Sequence, residues 1–361
     1  MSLIDIPCIM MRGGTSRGPY FNAADLPTDH DELAKLLIAV IGSHSELQVD
    51  GIGGSQATTS KVAMLSLSTH EWADIDYFFA QVNPDRPEVD FAPSCGNILS
   101  GVGPAAIEMG LIQPQGETTS VKINSVNTGA LVEAIVETPG GEVNYSGDGR
   151  IDGVPGTAAP IILNFMKVIG SKTGALFATG NPLDEIEGFR VTCIDVAMPM
   201  VIGLAEDFGI TGYESRDELD ANRQLFEKIE RVRLVAGERM GLGDVTQSVI
   251  PKFGLLAPSR EGGSICGRYF MPWKAHPTYA VTGSICTGAC LLAPGTIAGG
   301  VVQVDTGNPV AIQLEHPIGK IDVVFDYKIE NGALKLNNAG FVRTARRLFK
   351  GVVSIPDSSF G

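Results

Sequence analysis

Ser94-Cys95-Gly96-Asn97 stands where an apolar segment, Ile98-Leu99 onward, begins to read as a helix. A helix start offers free backbone N–H groups and the positive end of the dipole. A cysteine there has its thiolate favoured, and small neighbours let a carboxylate approach. Such a thiol can act as acid, base or nucleophile; the other reading is a small residue in a tight turn. Lys61 follows Thr58-Thr59-Ser60 and leads into Val62-Ala63-Met64. A lysine in an apolar strand sheds its proton more readily when buried, whereas a solvent-facing lysine does not. Arg12 to Ser16, including Thr15 and Ser16, Gly53-Gly54, Asn127-Thr128-Gly129 and Gly283-Ser284 are clusters of Gly, Ser, Thr and Asn. Each can present N–H and O–H donors to an anion, or be a plain turn. No GxGxxG or GxxxxGK[ST] pattern occurs, so nucleotide binding is not supported. His276 and His316 are isolated and read as structural. Cys8, Cys95, Cys193, Cys266, Cys286 and Cys290 are scattered with no CxxC pair, and only 5 His are present. Neither a disulfide framework nor a metal site is expected, and no cofactor.

The rest of the chain must hold these residues in place. Its 361 residues correspond to about two domains at roughly 150 residues each. With 44% hydrophobic and 19% charged residues it carries ordinary globular composition, which excludes disordered, collagenous and coiled-coil classes. Asp and Glu outnumber Lys and Arg 41 to 27, and the net charge of -14 argues against nucleic acid or an anionic membrane as partner. Met1 to Met11 lacks a basic n-region and carries Asp5, unlike a signal peptide. With unpaired thiols, this gives a cytoplasmic expectation. Pro277 to Val304 has no charged residue and is long enough to span a bilayer. Its Gly, Thr and Pro content, and its lack of a sustained Leu/Ile/Phe run, predict a buried helix and strand instead.

Met1 to Met11 reads as a strand meeting a Gly13-Gly14-Thr15-Ser16 turn. Asp29 and Glu32 form a capping box ahead of Leu33, Leu36, Leu37 and Val40, a helix ending near Gly42. Strands are predicted from Lys61, over Ile75 to Val82, Val121 to Ile123, Leu131 to Val136 and Val143 to Tyr145, the last two joined by Gly140-Gly141. A short uncharged helix runs from Cys95-Gly96-Asn97 to Gly110. In a second half, strands are predicted at Val191 to Asp195, Met200 to Leu204, Phe253 to Leu256 and Gly267 to Met271. Arg216 to Met240 is one long amphipathic helix with Leu219, Leu225, Phe226, Ile229, Val232 and Val235 inward. Gly283-Ser284-Ile285-Cys286 opens a second uncharged helix ending near Pro294. A helix apolar all round must be buried on every side. The expected fold is therefore α+β, two similar halves, each a sheet wrapped around a central helix. The expected domains are 1–185, joined by the tail 350–361, and 186–349, with Pro182 to Gly188 as linker.

Met11-Arg-Gly-Gly-Thr-Ser-Arg-Gly18, Asp50-Gly-Ile-Gly-Gly54, Thr59-Ser-Lys-Val-Ala63, Cys95-Gly-Asn-Ile-Leu-Ser-Gly-Val-Gly103, Asn127-Thr-Gly129, Ile151-Asp-Gly-Val-Pro-Gly156 and Val191-Thr-Cys-Ile-Asp195 occur in this order, with Glu315-His-Pro317 and Arg343-Thr-Ala-Arg346. Together they resemble the PrpF family of methylaconitate isomerases and 4-oxalomesaconate tautomerases, over almost the whole chain. The resemblance is closer to the oxalomesaconate branch. It implies a diaminopimelate-epimerase-like fold with the active site in the cleft between the halves. It also implies cofactor-independent isomerisation, a C=C shift by proton transfer in a 4-oxalomesaconate-, methylaconitate- or aconitate-like acid. Carried over, Lys61 is the base of the TSK motif and Cys95 the thiol of the CGN motif. Substrate contacts would come from Thr15, Ser16, Gly53, Gly54, Ser60, Gly96, Asn97, Asn127, Thr128, Met198, Lys252, Gly283 and Ser284. Two departures stand out: Ser94 where relatives often have Asn, and Trp273 after Pro272 where the tautomerases tend to have His. Epimerases of this fold use two opposed cysteines; here the second would have to be Cys286. The alternatives are thus an amino-acid epimerase or racemase, or a small-acid-binding protein without activity. The expected partner is a small polycarboxylate, and the expected assembly a homodimer.

Overall fold

Strand alternation decides which side of each sheet is core, and in this chain both sides are covered. The computed structural model describes residues 2–84, 86–166, 168–300 and 307–357. The chain forms two units, Met1–Asn164 with Val342–Gly361, and Phe165–Phe341. The division falls at Asn164/Phe165 and Phe341/Val342, ahead of the stretch expected as linker. Asp184–Ile186 is itself a strand within the second unit.

In the first unit, β1 (Leu3–Gly13), β2 (Ser16–Asn22), β3 (Lys61–Leu67), β4 (Ile75–Val82), β5 (Val89–Asp90), β6 (Thr118–Ser125), β7 (Ala130–Glu137) and β8 (Pro160–Phe165) are joined by the far part of a long strand, Ala333–Pro356. The pairing order is β1-β2-β3-β4-β6-β7-β8 and then the long strand, which returns to β1 from Leu3↔Pro356 to Gly13↔Ala345. Eight strands thus close a ring. Inside it lie α2 (Gly96–Leu99) and α3 (Val102–Glu108), with Val102 to Ile107 all buried. Outside lies α1 (His30–Ile41), whose Leu33, Leu36, Leu37 and Val40 pack on Ile6, Cys8, Phe21, Val62, Met64 and Val82. Asp29 caps α1 by accepting from the Asp31 and Glu32 N–H groups, and Gly42 closes it at φ 80°. Since Val62 and Met64 face α1, Lys61, Ala63 and Leu65 face the interior of the ring.

Two expectations fail in this unit. The helix predicted from Cys95 to Gly110 breaks at Ser100-Gly101, because the Tyr20 hydroxyl donates to the Ile98 carbonyl at 2.5 Å. A Cβ on Gly101 would collide with the Tyr20 side chain. Val143 to Tyr145 is not a strand. After β7 the chain makes a single 3-10 turn at Pro139–Gly141, and the Asn144 side chain folds back to Glu137 and Ser146.

In the second unit, β9 (Asp184–Ile186), β10 (Phe189–Asp195), β11 (Pro199–Leu204), β12 (Lys252–Ala257), β13 (Ile265–Phe270), β14 (Val310–His316) and β15 (Gly319–Glu330) pair in the order β15-β14-β13-β12-β11-β10-β9. The near part of β16 (Ala333–Pro356) adds to β15. One face packs Ile194, Met200, Ile202, Leu256 and Phe325 around buried Ile285, Cys286 and Ala289 of α6 (Val281–Leu292). The other face packs Cys193, Val201, Phe253 and Leu255 against α4 (Arg216–Ala221) and α5 (Arg223–Arg239). The single helix expected over Arg216 to Met240 is interrupted at Asn222. That residue leaves helical geometry at ψ 82°, and its side chain accepts from Leu225 N–H to start α5.

Each unit is therefore a mixed α+β body, a sheet around an apolar helix with an amphipathic helix outside. The uncharged Pro277 to Val304 stretch supplies α6 and a turn at Ile297–Gly300, while 301–304 fall outside the described residues. Among the described residues, no helix is long and apolar enough to cross a membrane.

Candidate active site

Lys61 opens β3 directly opposite Gln81 on β4. Its Nζ donates to Gln81 Oε1 at 2.5 Å and lies 5.3 Å from the Phe79 ring centroid. Among the described residues, no carboxylate forms an ion pair with it. Strand β2 can come close beside it because Gly18 has no side chain; a Cβ there would run into the Lys61 carbonyl. Gln81, Phe79 and Tyr77 alternate along β4 and share the interior face. The Tyr77 and Phe79 rings are 6.4 Å apart, and the Tyr77 hydroxyl donates to the Cys95 carbonyl at 3.3 Å. One row of side chains thus leads from Lys61 to Cys95. Burial pushes the Tyr20 and Tyr77 hydroxyls well above the ordinary range, and the Cys95 thiol adds to this. Both phenols stay neutral donors beside the start of α2.

Cys95 is the half-buried N-cap of α2, in extended geometry, and its side chain caps no N–H. Gly96 follows it. Asn97 Nδ2 donates to Thr15 Oγ1 at 3.0 Å, which leaves the exposed Thr15 hydroxyl hydrogen free to donate elsewhere. Ser94 shares a hydrogen bond with Ser125 at 3.0 Å, and Thr128 donates to the same Ser125 oxygen at 3.2 Å. The structure therefore gathers Thr15, Asn97, Thr128 and Ser94 around Cys95.

Other candidates hold the backbone. The Asn127 amide accepts from Phe79 N–H and donates to the Phe79 and Phe91 carbonyls, so it fastens β4. Ser60 is fully buried and bonded to Gln48, which also accepts from Ser55 N–H; together they pin the Gly53-Gly54 turn. Ser16 is buried at the start of β2. Arg17 was not singled out from the sequence. Its Nη2 reaches the Gly53 carbonyl at 3.4 Å, and among the described residues its buried Nε has no hydrogen-bond partner.

In the second unit, Met198 Sδ accepts from Thr282 at 3.0 Å and from Tyr269 at 3.4 Å, next to Gly283 and Ser284 in the first turn of α6. The Ser284 hydroxyl donates to the Val281 carbonyl. Ala280, at the N-cap, offers no side-chain acceptor. Lys252 opens β12 beside Met200, and burial, aided by Arg233, lowers its affinity for a proton. Arg233 is fully buried, held by Glu230 and three backbone carbonyls, with its guanidinium 5.9 Å from the ring centroid of half-exposed Trp273. His276 Nδ1 accepts from Thr278 N–H, a local structural bond. Cys286 is enclosed: its thiol donates to the Val196 and Met198 carbonyls, and burial pushes it up to about 12. It is no counterpart of Cys95.

Known proteins bear on this arrangement. A family model described as PrpF protein matches residues 3–356. The (4E)-oxalomesaconate Delta-isomerase of Novosphingobium sp. (strain KA1) is 48% identical, covering 97% of this chain and 97% of that one. The 4-oxalomesaconate tautomerase of Pseudomonas putida is 45% identical over 99% of this chain and 98% of its own. A crystal structure of methylitaconate-delta-isomerase superposes with a TM-score of 0.90 at 33% identity, covering 100% of this chain and 98% of that one. Nearly every residue takes part in these matches, and the chain belongs to the PrpF family of isomerases.

Proposed function

We propose that this isomerase, which shifts a C=C bond by proton transfer, acts on an oxalomesaconate-like tricarboxylate, with Lys61 as base. The observation that carries the reading is the setting of Lys61. Its amine points into the ring on a neutral amide, without a carboxylate partner among the described residues, on the row that leads to Cys95. A proton on carbon next to a carboxylate or keto group, and allylic to C=C, becomes removable once the dienolate is stabilised. Fixed N–H and O–H donors do this, because they need no reorganisation as charge develops. Thr15, Gly96 and Asn97 are the proposed donors, and Arg17 beside Gly53 and Gly54 takes a substrate carboxylate. Neutral Lys61 removes the proton. The resulting ammonium, or the Cys95 thiol, returns one two carbons away.

The oxalomesaconate preference is supported by identities of 48% and 45% to enzymes named for it, against 33% to the methylitaconate isomerase structure. A homodimer in the cytoplasm is proposed as the working form. A racemase would need a second exposed acid or base, which enclosed Cys286 does not supply. The deciding test offers oxalomesaconate, methylaconitate, aconitate and diaminopimelate to the protein in deuterated water, followed by NMR. Fastest bond migration in oxalomesaconate is expected. Deuterium entering only the α-carbon of diaminopimelate would replace this reading with the epimerase.

A further inference from the structure

We propose that Gln81 is a positioning residue that aims the Lys61 amine, a role that rests on the reading of Lys61 as the base. Gln81 faces Lys61 in register across β3 and β4, and no residue type in the motif around Lys61 points to it. Its amide cannot flip. Nε2 donates to the carbonyls of Ala57, Ser60 and Val82 at 3.1, 3.0 and 3.1 Å. A flipped amide would set an oxygen against three carbonyl oxygens. Oε1 is therefore held on Lys61 Nζ.

The consequence is chemical. A neutral amine has two N–H bonds and one lone pair. With one N–H committed to Gln81 and the Phe79 ring on another side, the flexible four-carbon arm is confined and the lone pair gains a direction. The acceptor is an amide, not a carboxylate, so it orients the amine without adding the negative charge that would lock it as ammonium. The titratable groups on the surrounding elements are Arg17 and Tyr20 on β2, Asp76 and Tyr77 on β4, Asp90 on β5 and Cys95 at the start of α2. Asp90 pairs with Gln81 across β4 and β5, so Gln81 stands next to a carboxylate-bearing position while presenting the lysine with a neutral oxygen.

The test uses Gln81→Met, Gln81→Glu and Lys61→Met in the full chain, with oxalomesaconate as substrate and urea unfolding as a check on the fold. Gln81→Met should lower kcat about 10- to 100-fold with KM nearly unchanged, the signature of lost alignment. Gln81→Glu should move the acid limb of the kcat/KM profile at least about one pH unit upward, because a carboxylate favours the ammonium. That midpoint is independent of the folded fraction, so it decides the matter even if the turn at Ala57–Ser60 is weakened. Lys61→Met inactive, with an unmoved acid limb in Gln81→Glu and normal kcat in Gln81→Met, would overturn the positioning role and leave the base reading intact. A normal rate in Lys61→Met would remove the base reading itself, and Gln81's role with it.

Discussion

Cys95 and Cys286 both stand near the start of a buried helix, but only Cys95 is reachable. Cys286→Ser should leave kcat within about threefold of wild type, since its thiol only donates to two carbonyls. An inactive Cys286→Ser with a folded chain would restore the two-thiol racemase. Lys61→Met keeps length and removes the titrating group, so kcat should fall roughly 100- to 10,000-fold. Cys95→Ser should retain a measurable rate, because neighbouring donors share its task; steady-state kinetics on the two variants rank the roles. Lys61 and Cys95 stood out as candidates because their neighbours are distinctive in sequence. Gln81 did not, since its proposed role arises from cross-strand register twenty positions away. Asn127 misled for a related reason: an amide in a Gly/Thr turn looks like an anion donor, and only the fold reveals that Phe79 and Phe91 occupy it.

At the scale of elements, Glu315 on β14 shows how a motif can be architectural. It is buried and accepts from the Ser259 hydroxyl and from the Arg260, Glu261 and Gly263 N–H groups, tying the loop between β12 and β13 to β14. Burial alone would raise its proton affinity, yet these bonds win and bring it from 4.5 down to about 2. Its contribution is therefore present above pH 4.5 and lost as pH falls toward 2. Glu315→Gln should cost about 1–3 kcal/mol in urea unfolding at neutral pH and flatten the acid side of the stability profile. A mutant as stable as wild type at pH 7 would show the loop to be held otherwise. Helix α1 was legible from Asp29 and Gly42, whereas the breaks at Gly101 and Asn222 were not. The first needs Tyr20 to arrive from another strand, and Asn222 sits within an unbroken amphipathic period. Strand β15 did carry a signal, with Ile321, Val323 and Phe325 alternating with more exposed neighbours.

On the whole-molecule scale, the two-layered halves followed from a simple rule, that uncharged helices must be surrounded. The boundary did not, because no composition shift marks Asn164. Buried thiols set an alkaline limit. Burial raises Cys8 and Cys290 to about 11 and Cys286 and Cys193 to about 12, from 9.0. The unfolded chain thus ionises first, and the stability these thiols contribute is complete below pH 9 and lost as pH climbs through 11 to 12. Thermal midpoints should be level up to about pH 8 and fall beyond about pH 9; serine at Cys8 and Cys290 should blunt that fall. The long strand β16 has a temporal consequence. The first unit's ring is sealed by residues that follow the entire second unit in the chain. During synthesis, β1 must wait for a partner more than 300 positions later, while every partner in the second unit is already at hand. Closing so distant a contact is slow, so Lys61 and Cys95, the proposed base and thiol, acquire their final surroundings last. A nascent chain arrested once Phe341 has emerged should show a protease-resistant second unit and a still-cleavable first.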